Sequence, residues 1–283
     1  MNGTNLDELG GFLRSRRARI RPEEAGLPDA GRRRRVPGLR REEVARLAGV
    51  SIDYYVRLEQ GRGHNVSDAV LDAVARVLRL DPTERAHLYD LARPPREAEP
   101  PAPAAVRPQV QMMLDAIQAP AFVLGRCMDV LAWNALGDAV AGFSAMPPGE
   151  RNMARQAFLD PAARTTYPHW TEVATETAAY LRLDAARHPG DPRMTALVAE
   201  LSAGNPDFRA LWEDHTVREK AGGRKLIRHP VAGLLDVGYE TLALPGDPDQ
   251  LIVVYVVAPD SAEAEKLASL ATTASGSGAD GTA

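Results

Sequence analysis

The chain has 283 residues, room for about two domains, and 45% of them are hydrophobic, so a substantial core can be buried. The net charge of −4 would argue against a nucleic-acid partner if it were evenly spread. Residues 1–95 hold 18 basic and 14 acidic residues, residues 96–283 hold 16 and 24, and residues 1–62 alone carry a net charge of +5. The single cysteine, Cys127, excludes an intramolecular disulfide and a cysteine zinc cluster, so no metal is expected. No apolar run reaches the length of a membrane span and no signal-peptide core opens the chain; a cytoplasmic protein without membrane contact is expected.

Leu9, Phe12, Leu13 and Ile20 form the apolar side of a first helix. The stretch that follows contains Pro22, Gly26, Pro28, Gly31 and Pro37-Gly38 and reads as a loop. It also carries Arg32, Arg33, Arg34 and Arg35, suited to phosphate or minor-groove contact, with a solvated basic loop as the alternative. Residues 40–61 then read as two short helices around a Gly49-Val-Ser51 turn, the spacing of a helix-turn-helix. Val44 and Leu47 are expected to face inward, Gly49 to take a left-handed C′ position, and Ser51 to cap the second helix. Tyr55 and Leu58 face the core, which leaves Ile52, Asp53, Val56, Arg57 and Gln60 outward. Ser67 precedes a helix with Val70, Leu71, Val74, Val77 and Leu78 on one side. Asp81-Pro-Thr-Glu84 starts a fifth helix carrying Leu88 and Leu91.

Residues 6–92 resemble the XRE (Cro/CI-type repressor) family. The resemblance implies that Arg17 of the first helix pairs with Glu59 of the recognition helix. It places Arg41 against a phosphate, Ile52, Asp53 and Arg57 against bases, and Tyr54 near the backbone, with Ser51 at the cap. Arg57 to guanine is the sharpest of these expectations; a phosphate contact or a solvated arginine is its alternative. The separation of Arg17 from Arg41 is longer than the family's usual connection.

Six prolines between Arg93 and Pro108 predict an extended, semi-rigid linker. Val110, Met113, Leu114 and Ile117 mark a short helix, and Ala121–Leu124 and Asp129–Trp133 two strands. Helix-forming sequence fills about 135–222. Strands return with Arg228–Gly233 leading into Leu234–Leu244 and with Leu251–Val257, a run suited to a central strand covered on both faces. The expected class is α+β: an N-terminal all-α five-helix Cro/CI-like domain (1–93), a linker (94–108), an antiparallel sheet with packed helices (109–270), and a disordered tail (271–283).

The second domain looks PAS-like. With the long-loop helix-turn-helix, it resembles the MmyB-like regulators through Val130–Asn134, Pro148–Asn152, Phe158–Pro161, Tyr167–Trp170, Phe208–Trp212 with His215, His229-Pro230 and Tyr239–Leu242. The resemblance implies a bound hydrophobic molecule such as a fatty acid. Candidate lining residues are Phe122, Leu124, Leu131, Trp133, Phe143, Phe158, Trp212 and Val254, and core filling is the more ordinary role for each. Arg151, His215, Arg218 and His229 are the candidates for meeting an acid headgroup, each with a structural alternative. The expected function is a sequence-specific regulator that binds double-stranded DNA as a homodimer and senses a small hydrophobic ligand. The competing reading makes the second domain a dimerisation or partner-docking module. No phosphate loop or catalytic constellation is present, so neither an enzyme nor a cofactor beyond a bound fatty acid or similar effector is expected.

Overall fold

A computed structural model describes residues 3–27, 38–62, 66–93 and 105–277. Arg32–Arg35 and most of the expected linker lie outside the described residues. The chain forms two compact units.

The first unit comprises Met1–Ala98 together with Arg182–Thr195 and Ala210–Glu219. Its N-terminal part contains α1 (Gly3–Arg19), α2 (Arg41–Ala48), α3 (Ile52–Glu59), α4 (Asp68–Val77) and α5 (Pro82–Ala92). The local chemistry behind these helices is the expected one. Gly49 sits at φ 70° after α2, the Ser51 hydroxyl accepts the Tyr54 amide at 3.1 Å, and Asp81 and Glu84 cap each other across Pro82. Leu9, Phe12, Leu13, Val44, Tyr55, Leu58, Leu71, Val74, Leu88 and Leu91 close one core. Removing each such side chain from water contributes about 1.5–3 kcal/mol.

Leu47 departs from expectation. It is 39% exposed, while Ala45 is buried beside Val44. At 3.6 residues per turn the covered arc runs from Val44 through Ala48 to Ala45, and Leu47 falls about 60° outside it. Gly10 shows how closely α1 approaches α3: a Cβ there would lie 2.4 Å from the Glu59 carbonyl oxygen.

Ala186 and Val217 complete the core, so this unit is not one continuous stretch of sequence. Arg182, almost fully buried, pairs with Glu8 of α1, donates to the Trp212 carbonyl and stacks on the Trp212 ring at 4.1 Å. Arg16 donates to the His215 carbonyl at 2.8 Å.

The second unit comprises Glu99–Leu181, Ala196–Arg209 and Lys220–Ala283. Pro108, expected to end the linker, opens α6 (Pro108–Ala116). Then come β1 (Ala121–Leu124), β2 (Val130–Trp133), α7 (Ala135–Ala141), α8 (Met153–Phe158) and α9 (Ala163–Thr166). After them follow α10 (Trp170–Arg187), α11 (Pro192–Gly204) and α12 (Pro206–Glu213), each of which has residues in both units, then β3 (Gly222–His229), β4 (Gly233–Leu244), β5 (Asp247–Val256) and α13 (Ala262–Ser277). The five strands form one antiparallel sheet in the order β2-β1-β5-β4-β3. The architecture is α+β, as expected.

Several boundaries move. β3 begins at Gly222, inside or directly after the region expected to be helical, because Lys225, Ile227 and His229 alternate with exposed Arg224 and Arg228 at strand period. β5 is central in strand order, yet Val256 on it is 44% exposed, so its second face is only partly covered. The tail expected to be disordered from Ala271 is helical to Ser277, where alanines extend α13.

Two buried asparagines explain much of the motif pattern. Asn134 accepts the amides of Ala121 and Gly137 and donates to the carbonyls of Leu114, Ile117 and Ala119, tying α6, β1 and α7 together. Asn152 accepts the amides of Ala154 and Arg155 while donating to Cys127 and Asp129. Cys127 itself is buried, as expected of a small core side chain. These residues build the frame on which the sheet's inner face is presented.

Candidate DNA-binding face and ligand cleft

In the first unit α3 presents a complete outward surface. Ile52 is 52% exposed, and Ser51, Asp53, Tyr54, Arg57 and Gln60 are exposed around it. Among the described residues the Arg57 side chain forms no ion pair or hydrogen bond, so its fork of donors is uncommitted. α3 is held from behind by Glu59, whose buried carboxylate receives Arg17 at 3.0 and 3.1 Å. Arg41, expected at a phosphate, also donates through Nε to Glu59 at 3.0 Å, while its side chain stays 45% exposed. Its Nε is thus held by a buried anion while the rest of the half-exposed guanidinium faces outward. Arg32–Arg35 lie outside the described residues.

The second unit contains a cleft of about 810 Å³ between α7, α9 and the start of the β3–β4 turn. Ala135, Ala139, Val140, Met146, Ala163 and Ile227 supply apolar walls, and Tyr167 and Tyr255 present rings to it. Asp138, Gln156, Asp160, Thr166 and Arg228 add polar and charged groups to the lining.

Of the residues expected to line a ligand site, His229 is in this cleft. Phe122, Phe143 and Trp133 instead form a ring cluster with Tyr255, at centroid distances of 5.2 to 5.7 Å. Phe158 packs edge-on against Trp170 and Phe208. Leu124 is buried in the sheet, and Leu131 and Val254 pack on the opposite face with α6 residues Val110 and Leu114. Trp212, His215 and Arg218 fall in the first unit.

The headgroup candidates are already engaged. Arg151 donates through Nε to the carbonyls of Phe143 and Met146 and stacks over Trp133 at 4.9 Å. His215 lies 3.4 Å from Glu8. His229 Nδ1 accepts the amides of Val231 and Ala232, which makes Nε2 the donor to the Ala139 carbonyl at 2.9 Å. It therefore braces the cleft rim as a neutral imidazole.

Two cations outside the sequence-based candidates face the sheet's inner side. Lys225 on β3 is only 7% exposed, with Nζ 5.4 Å from the Tyr239 ring centroid and 5.7 Å from that of Tyr167. Lys220 lies 4.9 Å over the same Tyr239 ring. Burial, then repulsion from Lys220, lowers the Lys225 ammonium to about 7 against the pull of Glu176. Burial likewise lowers Lys220. Period-two alternation with Ile227 and His229 could have revealed Lys225, had β3 been started at Gly222.

A helix-turn-helix head joined to an α+β domain with its own cleft defines a DNA-binding regulator with a separate effector domain. Residues 106–270 match the family model described as the MmyB-like transcription regulator ligand binding domain, and residues 8–88 match a helix-turn-helix domain. The chain belongs to the MmyB-like transcription regulators. No curated protein was found to match it. Among the described residues no helix is long and apolar enough to cross a membrane.

Proposed function

We propose that this regulator binds operator DNA sequence-specifically as a homodimer and responds to a fatty-acid-like molecule held in the cleft of its second unit. The cleft carries the reading: about 810 Å³ with apolar walls lies beside the inner face of the sheet, where an acyl chain would be withdrawn from water. The strand order β2-β1-β5-β4-β3 is in keeping with a PAS-like domain. On the head, the uncommitted Arg57 supports base contact, while Arg41 and the Arg32–Arg35 run supply phosphate contacts. Denaturing extraction of the purified full-length chain followed by mass spectrometry tests the ligand reading. A stoichiometric amphiphile is expected. A chain that carries none and binds no added long-chain acid or alcohol would favour the docking-module alternative.

A further inference from the structure

The outward surface of α3 is divided by chemistry. At about 100° per residue, Asp53, Arg57 and the C-cap residue Gln60 fall within about 60° of one another and form its polar centre. Ile52 and Val56, four residues apart, form an apolar flank beside them, and Tyr54 lies on the other flank. Tyr55, Leu58 and Glu59 are the buried side.

Core packing does not account for the apolar flank. Ile52 is 52% exposed and Val56 half-buried. Among the described residues neither packs on the core of the head, as the partly buried Val50, Val70 and Val77 do. Ile52 is also the first residue of α3, directly after the Ser51 cap, and a recognition helix meets base edges with its N-terminal residues. An aliphatic side chain offers a phosphate nothing. In the major groove the four bases present hydrogen-bond donors and acceptors, and the group that suits an aliphatic neighbour is the 5-methyl of thymine.

We propose that Ile52 and Val56 are specificity-determining residues that read thymine 5-methyl groups, so that each operator half-site carries thymine beside the pairs facing Asp53 and Arg57. This rests on the reading that α3 contacts base edges. Withdrawing one methyl from water should raise affinity about fourfold in a half-site, and two half-sites together should give roughly fifteenfold.

The test starts from a duplex that the full-length chain enriches from a random pool. The duplex is remade with uracil in place of thymine, one motif position of each half-site at a time. The exchange removes the methyl and keeps every hydrogen-bonding group of the pair. At one or two positions wild type should lose about fourfold for each methyl removed. Ile52→Ala and Val56→Ala should each lose the distinction between thymine and uracil at one of those positions. That ratio of affinities does not depend on how much of a variant is folded. Equal binding of thymine and uracil duplexes by wild type at every position would overturn the assignment and leave sequence recognition by the head standing. A penalty that persists unchanged in both variants would also overturn it, and would assign the thymine to duplex shape. Enrichment of no motif would overturn both readings.

Discussion

Arg17 and Glu59 are joined by two hydrogen bonds, Nε to Oε2 at 3.1 Å and Nη2 to Oε1 at 3.0 Å, and Glu59 has no solvent exposure. The pair fastens the end of α3 to α1, and Arg41 adds α2 to the same carboxylate. Glu59→Gln keeps the shape but leaves two guanidinium groups facing a neutral amide. Urea unfolding should show a loss of about 3–5 kcal/mol. Arg41→Ala, which removes a half-exposed partner, should cost no more than about 1 kcal/mol. Equal losses would mean that the fork on Arg17 is not the fastening element.

His87 is buried on the edge of Phe12, at 5.0 Å between ring centroids. Burial first, then the charge of Arg182, depresses it to about 3. The unfolded chain takes up this proton near 6.5 and the folded chain only near 3, so the unfolded state binds more protons between those values. Stability should therefore fall as pH drops from about 6.5 toward 3, by roughly 1.4 kcal/mol per pH unit at most from this residue. His87→Leu should flatten that limb in thermal melts from pH 7 to 4. An unchanged limb would assign the acid sensitivity to the carboxylates.

Lys225 gives the opposite window. Its folded value of about 7 lies below the ordinary lysine range, so the unfolded state holds the extra proton between about 7 and 10.5. Stability of the ligand-free chain should rise with pH across that interval, again by up to roughly 1.4 kcal/mol per unit. Lys225→Met should remove the rise and stabilise the chain at pH 6.5 by about 1–4 kcal/mol. A destabilised variant without a changed pH slope would show that the ammonium is satisfied in the folded chain.

The head was largely legible in its sequence because its signals are local. Gly49, Ser51 and Asp81 act within one turn of themselves, and Tyr55 and Leu58 follow helix period. The Arg17–Glu59 pair was reached through family resemblance, and the geometry bears it out. What the sequence concealed is non-local. Nothing near Arg182 signals that it pairs with Glu8, 174 residues away. The ligand candidates show the same limit. Phe122, Phe143 and Phe158 are large apolar residues, and periodicity cannot separate a residue that fills a core from one that lines a cleft. Arg151 and His229 have the charge and hydrogen-bonding groups an acid headgroup needs, but the backbone carbonyls that occupy them lie 5 to 90 residues away in sequence. A lysine in a short, Arg-rich strand such as Lys225 reads as solvated surface, and only the strand register places it on the covered face.

Arg32–Arg35 enter through charge alone. Replacing all four with alanine should weaken binding to any duplex and make log affinity less steep against log salt, by about 0.9 for each phosphate no longer neutralised. Discrimination between duplex sequences should stay nearly constant, since arginines on phosphates carry little base information. An unaltered slope would place the run away from DNA.

The most direct measurement is selection of duplexes from a random pool by the full-length chain, with Arg57→Ala run in parallel. Wild type should enrich one motif with two-fold related half-sites, and the variant should lose enrichment at a defined position in each half. Recovery of sequences no different from the starting pool by wild type would contradict sequence-specific recognition by α3 and reduce the head to a general DNA-binding surface.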